Sequence, residues 1–287
     1  MNILSFDIED WFHILDHQEV SDKSSWAKFP SRIENNLDRI LNILKIKNVK
    51  ATFFCLGWVG AEFPHLVKRI VNEGHDIGTH SNFHTLVYTQ TPSDFESDLK
   101  KSIDILSEIT GQNITKYRAP GFSIGKSESW TFEILAKNGI TIDCSIFPAL
   151  RAHGGFNKFP VSSPSILELN SKQIKIFPMN IKSIFNFNYI FSGGGYFRLL
   201  PYPLIKKLMK NSNYVMTYFH PRDFDPHQPV MPNLSYFRKF KSYYGLKNAE
   251  KKLCKLLDDY KFISIESANQ KIDWKTVSRV SLNDIKN

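Results

Sequence analysis

Residues 80–84 read His80-Ser81-Asn82-Phe83-His84, and the two histidines of this stretch decide how the rest of the chain is interpreted. On a helical turn, this spacing puts both imidazoles on one face, about 5–6 Å apart at Cβ. Two such nitrogens can converge on one metal ion, most often Zn²⁺. A turn and a short strand precede the pair, so we expect it at the carboxyl end of a strand, where α/β folds place their active sites. Two unrelated histidines on a polar turn would show the same spacing.

The N-terminal segment supplies a second cluster of candidate ligands. A short apolar run at residues 2–6 ends in Asp7-Ile8-Glu9-Asp10, which predicts a buried strand with three carboxylates at its exit. Clustered acids repel one another and are costly to desolvate, and a bound cation would relieve both effects. An exposed acidic turn is the alternative interpretation.

The chain then alternates between strands and helices about five times in its first 145 residues, a pattern typical of a parallel α/β barrel or sheet. Helices are predicted at about 31–44, 61–72, 91–110 and 127–138, and the first of them has a capping-box pattern at Ser31 and Glu34. Strands are predicted at 49–56, 74–79, 115–118 and 140–142. We found no composition shift or linker and therefore predict one domain over residues 1–287.

The alternation is interrupted at about residues 147–203, which we interpret as an insertion. Residues 166–169 and 174–177 flank a polar turn and predict a hairpin. Three glycines follow at 193–195, where the backbone could approach a ligand closely, although a flexible connector is also consistent. Alternation resumes with a helix at 203–211, a strand at 214–219, a helix at 248–260 and a strand at 262–265. The tail after about residue 266 is polar, and we expect it to be peripheral.

Composition restricts the partners of the chain. Its 287 residues carry a net charge of +9, which favours anionic partners such as a sugar nucleotide, a lipid pyrophosphate or a membrane surface, although simple solubility also explains it. Residues 236–261 mix aromatic and basic side chains and resemble a patch that binds nucleic acid or an anionic surface. A solvated helix face explains them better, and we do not expect a nucleic-acid partner. Three dispersed cysteines are typical of reduced thiols. With neither a signal-peptide pattern nor a membrane span, we expect a cytoplasmic protein, for which peripheral membrane contact remains open.

The candidate site residues gather when the predicted elements are placed on a barrel. The acidic cluster leaves the first strand, the histidine pair follows the third, residues 118–121 leave the fourth, and His220 leaves a late strand. The chain thereby resembles the NodB-homology polysaccharide deacetylases (carbohydrate esterase family four) over about residues 1–265. The matching segments are Ser5-Phe6-Asp7, Ala51-Thr52-Phe53-Phe54, His80-Ser81-x-x-His84, Arg118-x-Pro120 and His220.

Two longer segments and the N-terminal cluster resemble one subgroup, the deacetylases of exopolysaccharide and O-antigen gene clusters. They are Asp7-x-Glu9-Asp10-Trp11-Phe12, residues 193–202 and His220-Pro221-x-x-Phe224-Asp225. The resemblance implies a distorted (β/α) barrel of seven strands, a divalent metal such as Zn²⁺, and hydrolysis of the N-acetyl group of an amino sugar, nucleotide-linked or lipid-linked.

The resemblance also implies roles for single residues. Asp7 matches the base, His220 matches the acid that protonates the leaving amine, and Arg118 would pair with Asp7. His80 and His84 would bind the metal. Substrate binding is expected from Pro120 and, in the subgroup, from Gly194 and Arg198.

The third metal ligand stays open between Glu9 and Asp10. The commoner family pattern has two adjacent aspartates, but here Ile8 follows Asp7. We favour Glu9, because strand alternation puts it on the same face as Asp7. The family's fourth motif is not recognisable, since Asp143 lies nearby but out of step, so what tunes His220 is an open question.

Two other functions remain possible on this fold. Related barrels open cyclic amides, some without metal, and a barrel could bind glycans without catalysis.

Overall fold

A ring of short parallel strands forms the framework of this computed structural model, which describes residues 1–15, 17–151, 153–184 and 187–286. The strands are β1 (Asn2–Ile3), β2 (Ser5–Ile8), β3 (Thr52–Cys55), β4 (Asp76–Thr79), β5 (Lys116–Tyr117), β6 (Ile142–Asp143), β7 (Ser165–Glu168), β8 (Gln173–Ile176), β9 (Lys182–Ile184), β10 (Phe187–Tyr189), β11 (Val215–Met216) and β12 (Ser278–Ser281).

Helices lie between the strands and cover the outside of the ring. They are α1 (Gln18–Ser21), α2 (Ile33–Lys47), α3 (Gly57–Glu62), α4 (Pro64–Asn72), α5 (Pro92–Thr110), α6 (Thr131–Lys137), α7 (Gly194–Leu199), α8 (Tyr202–Lys210), α9 (Tyr236–Tyr243), α10 (Leu246–Asp259), α11 (Ile265–Lys271) and α12 (Leu282–Lys286). Short 3₁₀ turns lie at Lys23–Lys28, Val87–Thr89, Pro120–Phe122 and Pro221–Phe224.

The order of the strands is that of a barrel. The main sheet runs β12-β7-β8-β6-β5-β4-β3-β2, with every neighbouring pair parallel except β7 and β8. On the other side, β1 pairs in parallel with β11, and Phe6 bridges Phe219. Seven parallel segments of the described chain thus follow one another in space as β11, β1 with β2, β3, β4, β5, β6 and β8. The predicted distorted barrel of seven strands is confirmed.

A single side chain links the end of β8 to β11. Asn180, which follows β8, accepts hydrogen bonds through Oδ1 from the backbone N–H of Met216 and from the hydroxyl of Ser192. This link places residues 190–193 against β11, where Gly193 bridges Tyr218. The glycine-rich segment is therefore attached to the ring beside the last strand.

The strands are buried because helices cover them. All four residues of β2 and all four of β3 are buried. Both faces of a parallel strand in this setting need apolar side chains. Phe6 and Phe53 stack with ring centroids 5.2 Å apart, and α2, α4 and α10 pack their apolar residues on the same cluster.

Two predicted helices differ in their boundaries. The predicted helix 61–72 is divided into α3 and α4 at Phe63, because Pro64 cannot donate the hydrogen bond that would continue α3. The capping box predicted at Ser31 and Glu34 is wrong. Arg32 is the N-cap of α2 without a side-chain bond, and Asp10 from the end of β2 accepts its backbone N–H.

The segments predicted to be an insertion and a peripheral tail contribute to the sheet. The predicted hairpin is confirmed as β7 and β8. However, β8 also pairs with β6 as a barrel strand, so the prediction that residues 147–203 form an insertion is wrong for this hairpin. Beyond residue 266, β12 pairs with β7, and Val280, Leu282 and Ile285 are buried in the core. The prediction that the tail is peripheral is therefore wrong as well.

Residues 262–265, predicted as a strand, contribute only a bridge at Ile263 before α11 begins. The single domain over residues 1–287 stays a prediction.

Among the described helices, none combines the length and apolar character needed to cross a bilayer.

Candidate active site

Three predicted metal ligands meet at the carboxyl ends of β2 and β4. Oε1 of Glu9 lies 3.1 Å from Nε2 of His80 and 3.0 Å from Nε2 of His84. All three side chains are buried, and their ligand atoms lie close enough together to hold one ion. Strand alternation therefore places Glu9 where we expected it.

The histidine pair lies in a folded loop, and the predicted helical turn is wrong. Ser81 and His84 have φ angles of +70° and +55°, in the left-handed region that side chains other than glycine rarely adopt. The Ser81 hydroxyl accepts the backbone N–H of His84, and Asp98 from α5 accepts the backbone N–H of Asn82. These bonds fold the loop so that both rings face Glu9, with ring centroids 5.3 Å apart.

The hydrogen bonds of the cluster suit a divalent metal. Nδ1 of His80 lies 2.7 Å from the carbonyl oxygen of Arg118, which can only accept, so Nδ1 carries a proton and Nε2 is the nitrogen that faces the cluster. Burial alone would raise the pKa of Glu9. The charges of His84 and His220 and the hydrogen bonds of His80 and His84 instead hold that pKa well below its ordinary value. One carboxylate and two imidazoles are donors that Zn²⁺ accepts, so these residues fit the predicted metal.

The alternative ligand Asp10 lies outside the cluster and caps a helix. Its carboxylate accepts hydrogen bonds from the backbone N–H groups of Trp11, at 2.7 Å, and Arg32, at 3.0 Å, and from the hydroxyl of Ser31. Asp10 is therefore corrected from a metal ligand to a structural residue at the start of α2. The reason is the strand alternation that brings Glu9 into the site and turns Asp10 away from it.

Paired amide variants test this assignment. We expect Glu9→Gln to lose bound zinc, because an amide oxygen is a poorer ligand than a carboxylate. We expect Asp10→Asn to keep zinc and to lower the free energy of unfolding by about 1 kcal/mol, as for loss of a helix cap. Elemental analysis and urea unfolding measure the two effects. Zinc loss in Asp10→Asn with full retention in Glu9→Gln would reverse the assignment.

Asp7 is held by a buried arginine. Nη1 of Arg118 donates to Oδ1 of Asp7 at 2.7 Å, Nη2 donates to the hydroxyl of Ser5 at 2.8 Å, and the guanidinium lies 4.2 Å from the ring centroid of Phe54. The structure thus brings Asp7 and Arg118 together as predicted. The second carboxylate oxygen of Asp7, Oδ2, lies 3.9 Å from Nε2 of His220.

His220 is oriented by Asp223, a residue that the sequence analysis missed. Nδ1 of His220 lies 3.1 Å from Oδ2 of Asp223, and the same oxygen accepts the backbone N–H of His220. Burial lowers the pKa of His220, but Glu9, Asp223 and Asp7 outweigh it and raise the pKa to about 9. An acid three residues after the N-cap of a helix completes a capping box, so the spacing between His220 and Asp223 could have identified Asp223 from the sequence. Asp225, which we quoted instead, pairs with Arg32.

Arg198, predicted to bind substrate, is committed to contacts within the protein. Its Nε donates to Oδ1 of Asp223 at 3.1 Å, and its terminal nitrogens donate to the carbonyls of Tyr244, at 2.7 Å, and Lys241, at 3.0 Å. The side chain is buried and borders the cleft. Arg198 therefore holds Asp223 and the end of α9 in place, and its predicted role in substrate binding stays a prediction.

The other two predicted substrate residues differ in position. Gly194 lines the cleft, and its N–H donates to the carbonyl of Tyr218. Its neighbour Gly193 lies so close to the ring of Tyr218 that a Cβ atom would be 2.1 Å from it, so only glycine fits. Pro120 starts a buried turn whose neighbouring residues Ala119 and Gly121 line the cleft, and its predicted contact with substrate stays a prediction.

Asp143, the nearest match to the missing motif, does not touch His220. Its carboxylate accepts the backbone N–H and the hydroxyl of Ser145, whose oxygen accepts the N–H of Ala119. Burial raises the pKa of Asp143 to about 7. Asp143 thus supports the loop after β5, and Asp223 takes the place beside His220.

These residues surround a cleft of about 300 Å³. Small-molecule sites span roughly 300–1,000 Å³, so the cleft is large enough for a small group and continues toward solvent. Its walls also contain His13 and Tyr218, which we had not predicted, and four cationic side chains, those of Arg151, Arg222, Arg238 and Lys241. Acids lie at the bottom of the cleft and cations line its walls.

Comparisons with known proteins agree with this geometry. A family model described as polysaccharide deacetylase matches residues 17–142, and a model described as a domain of unknown function (DUF3473) matches residues 144–270. The peptidoglycan-N-acetylglucosamine deacetylase of Bacillus cereus is 42% identical over 73 residues, which are 25% of this chain and 26% of that protein. The peptidoglycan deacetylase of Helicobacter pylori is 27% identical over 139 residues, 48% of this chain and 46% of that protein. The chain thus spans between about a quarter and a half of these relatives.

Solved structures share the fold. A Mycobacterium smegmatis protein assigned to the polysaccharide deacetylases superposes with a TM-score of 0.65 at 15% identity, covering 96% of this chain and 91% of that one. A pseudoenzyme of carbohydrate esterase family four from Bacillus anthracis has a TM-score of 0.51 at 15% identity, covering 98% and 66%. Since the same barrel occurs in a pseudoenzyme, function has to be argued from the site. The sequence match over residues 17–142 and the barrel together identify a polysaccharide deacetylase domain of the NodB-homology type, carbohydrate esterase family four, in this chain.

Proposed function

We propose that this protein is a metal-dependent hydrolase that removes the N-acetyl group from an amino sugar during the synthesis of a surface polysaccharide. One observation carries the proposal: Oδ2 of Asp7 and Nε2 of His220 lie 3.9 Å apart and border the cluster of Glu9, His80 and His84. A base, an acid and a metal-binding cluster thus lie around one cleft. The family model covers the two histidines, whereas Asp7, Glu9 and His220 lie outside it and reach the site through the fold.

Glu9, His80 and His84 would hold the metal. When bound, a divalent ion would polarise the amide carbonyl and make a water molecule more acidic. The remaining chemistry falls to residues that the structure brings to the same cleft.

Asp7 would take a proton from the water that attacks the acetyl carbon. Arg118 binds one carboxylate oxygen, which orients the side chain and leaves Oδ2 directed toward His220. His220 would donate the proton on Nε2 to the amine nitrogen as the C–N bond breaks, because Asp223 accepts the hydrogen bond of the other ring nitrogen. The products are acetate and a free amino sugar.

The relatives and the cleft support the proposed class of substrate. The curated relatives named above act on peptidoglycan, and here we propose an N-acetylated amino sugar of an exopolysaccharide or O-antigen. The four cations on the walls of the cleft favour a substrate that also carries an anionic group, such as the phosphates of a nucleotide or lipid carrier. The cytoplasmic location stays a prediction, which cell fractionation would test.

Release of acetate tests the proposed activity. Zinc-loaded protein is incubated with N-acetylhexosamine nucleotides, lipid-linked N-acetylhexosamines and N-acetylated oligosaccharides, and free acetate is measured. We expect acetate from at least one class, with an equal amount of free amine. Lack of acetate from the whole panel, with zinc confirmed in the protein, would contradict the proposal.

Asp223 provides a prediction specific to this chain. We expect Asp223→Asn to lower kcat by about 10- to 100-fold, as for partners that orient a functional imidazole, with little change in KM. Asp225→Asn is the matched control, since Asp225 pairs with Arg32 and should affect stability more than kcat. Equal kcat in Asp223→Asn and the unmodified protein would show that His220 does not need this partner.

A further inference from the structure

Helix α9 presents aromatic side chains to solvent beside the cleft. The exposed fractions are 94% for Tyr236, 65% for Phe237, 47% for Phe240 and 49% for Tyr244, just beyond the helix. Tyr236, Phe240 and Tyr244 recur every four residues and share one face. Every residue of α9 is exposed or half-buried, so core packing does not account for these aromatics.

The same segment is strongly basic. Arg238, Lys239, Lys241 and Lys247 lie among the aromatics, and residues 236–249 contain neither aspartate nor glutamate. Nζ of Lys241 lies 4.2 Å from the ring centroid of Phe237, so cation and aromatic ring occupy one patch. Helices that lie in a bilayer interface combine these two features, because aromatic rings partition to the headgroup level and cations bind anionic lipids.

Contacts with the site fix α9 at the mouth of the cleft. Arg238 and Lys241 line the cleft, and Arg198, which binds Asp223, also binds the carbonyls of Lys241 and Tyr244. The side chain of Ser235 caps the helix. A surface that bound the exposed face of α9 would therefore hold the mouth of the cleft beside it.

Helix α7, which packs against α9, also has exposed apolar side chains. Gly195 packs on α9, since a Cβ atom there would lie 3.4 Å from the carbonyl oxygen of Lys241. Tyr196 and Leu199, on the same short helix, each have an exposed fraction of 46%. Exposed apolar side chains therefore lie on both of these helices.

We propose that α9 docks the protein on a bilayer that contains anionic lipids, with the cleft beside the membrane surface. Charge complementarity favours this partner, because the phosphates of an anionic bilayer would pair with Lys239, Lys241 and Lys247, whereas an uncharged glycan offers these lysines no anion. The position of the cleft further implies a lipid-carried amino sugar as substrate. That second step rests on the proposed deacetylase function, whereas bilayer binding does not.

Vesicle sedimentation tests the docking surface. The full chain is mixed with vesicles of phosphatidylglycerol and phosphatidylcholine in equal parts, and with vesicles of phosphatidylcholine alone. We expect binding to the first kind and weak binding to the second, with a decrease at high salt as the charges are screened. The triple variant Tyr236→Ser, Phe237→Ser, Phe240→Ser should bind at least about tenfold less, because three aromatic side chains no longer enter the interface.

Ile46→Ser is the matched control. Ile46 has an exposed fraction of 79% but lies near the end of α2, where the chain enters β3 at the amino ends of the strands, opposite the cleft. It should bind vesicles as the unmodified protein does. Equal binding by the triple variant, or equal binding to both kinds of vesicle, would overturn the proposal, as would a stronger salt-sensitive association with nucleic acid than with vesicles.

Acetate release separates this proposal from the proposed function. The three substituted aromatics lie outside the cleft walls, so the triple variant should release acetate from a soluble substrate at the unmodified rate. Acetate release without vesicle binding would overturn the docking surface alone. Vesicle binding without acetate would overturn the deacetylase function and the inference of a lipid-carried substrate, and would leave the docking surface standing.

Discussion

Replacing Asp7 by asparagine should lower turnover by about 10²–10⁴-fold, the range expected for loss of a general base. The lone pair of an amide nitrogen is delocalised into the carbonyl and cannot accept the proton of the attacking water, and the side chain keeps its size. Arg118 can still donate to the remaining amide oxygen, so the buried guanidinium keeps a partner in place of Oδ1. Activity is measured as acetate released from the best substrate of the panel.

The zinc content of Asp7→Asn decides how its loss of turnover is interpreted. Asp7 lies with Glu9 and His220 in a neighbouring group that could also hold an ion, but the cluster of Glu9, His80 and His84 keeps all three of its ligands in Asp7→Asn, so this variant should keep its zinc. Asp10→Asn is the matched control, because it makes the same chemical change at a helix cap outside the site. Unchanged turnover in Asp7→Asn would rule out the mechanism, and loss of zinc together with turnover would make Asp7 a ligand.

Most of the site was predictable because residue type and strand alternation both restricted it. His80, His84, Arg118 and His220 leave strands that the alternating pattern identifies, and the carboxyl ends of parallel strands meet at one edge of a barrel. The prediction of Glu9 as a ligand followed from strand alternation along β2. These predictions required only the order of the elements and the period of a strand.

The errors and the missed contacts involve segments distant in sequence. Arg198 binds carbonyls about 45 residues away, and Asp10 caps a helix that starts beyond residue 30, so neither role is visible in local sequence. The loop of Ser81 and His84 departs from a helical turn because Asp98 binds its backbone. Asp223 was within reach of sequence analysis, because its spacing from His220 is a local signal that we overlooked.

Polar composition misled the prediction for the C-terminal tail. The segment after residue 266 is hydrophilic overall, but three apolar residues recur where β12 and α12 face the core. Lys116 at the start of β5 also pairs with Glu266 at 2.9 Å. Average hydropathy hides such a pattern, because a sheet edge needs apolar residues only on its inner face.

Replacing either histidine of the pair by alanine should abolish zinc binding and activity together. Each imidazole Nε2 lies about equally far from the same oxygen of Glu9, 3.1 Å for His80 and 3.0 Å for His84, so neither ring is peripheral to the cluster. Two of three protein ligands would remain, too few for the three that catalytic zinc sites use. We expect turnover below detection, with zinc measured by elemental analysis.

His65→Ala is the matched control, since His65 lies on α4 with an exposed side chain that contacts Glu34 and is not among the residues that line the cleft. It should keep zinc and activity and so exclude a general effect of losing an imidazole. Circular dichroism distinguishes loss of a ligand from misfolding, because the loop of His80 and His84 is held by Ser81 and Asp98, which the variants retain. A folded His84→Ala protein with full zinc would remove this histidine from the metal site. Full activity in a zinc-free protein would favour a metal-independent hydrolase on the same barrel.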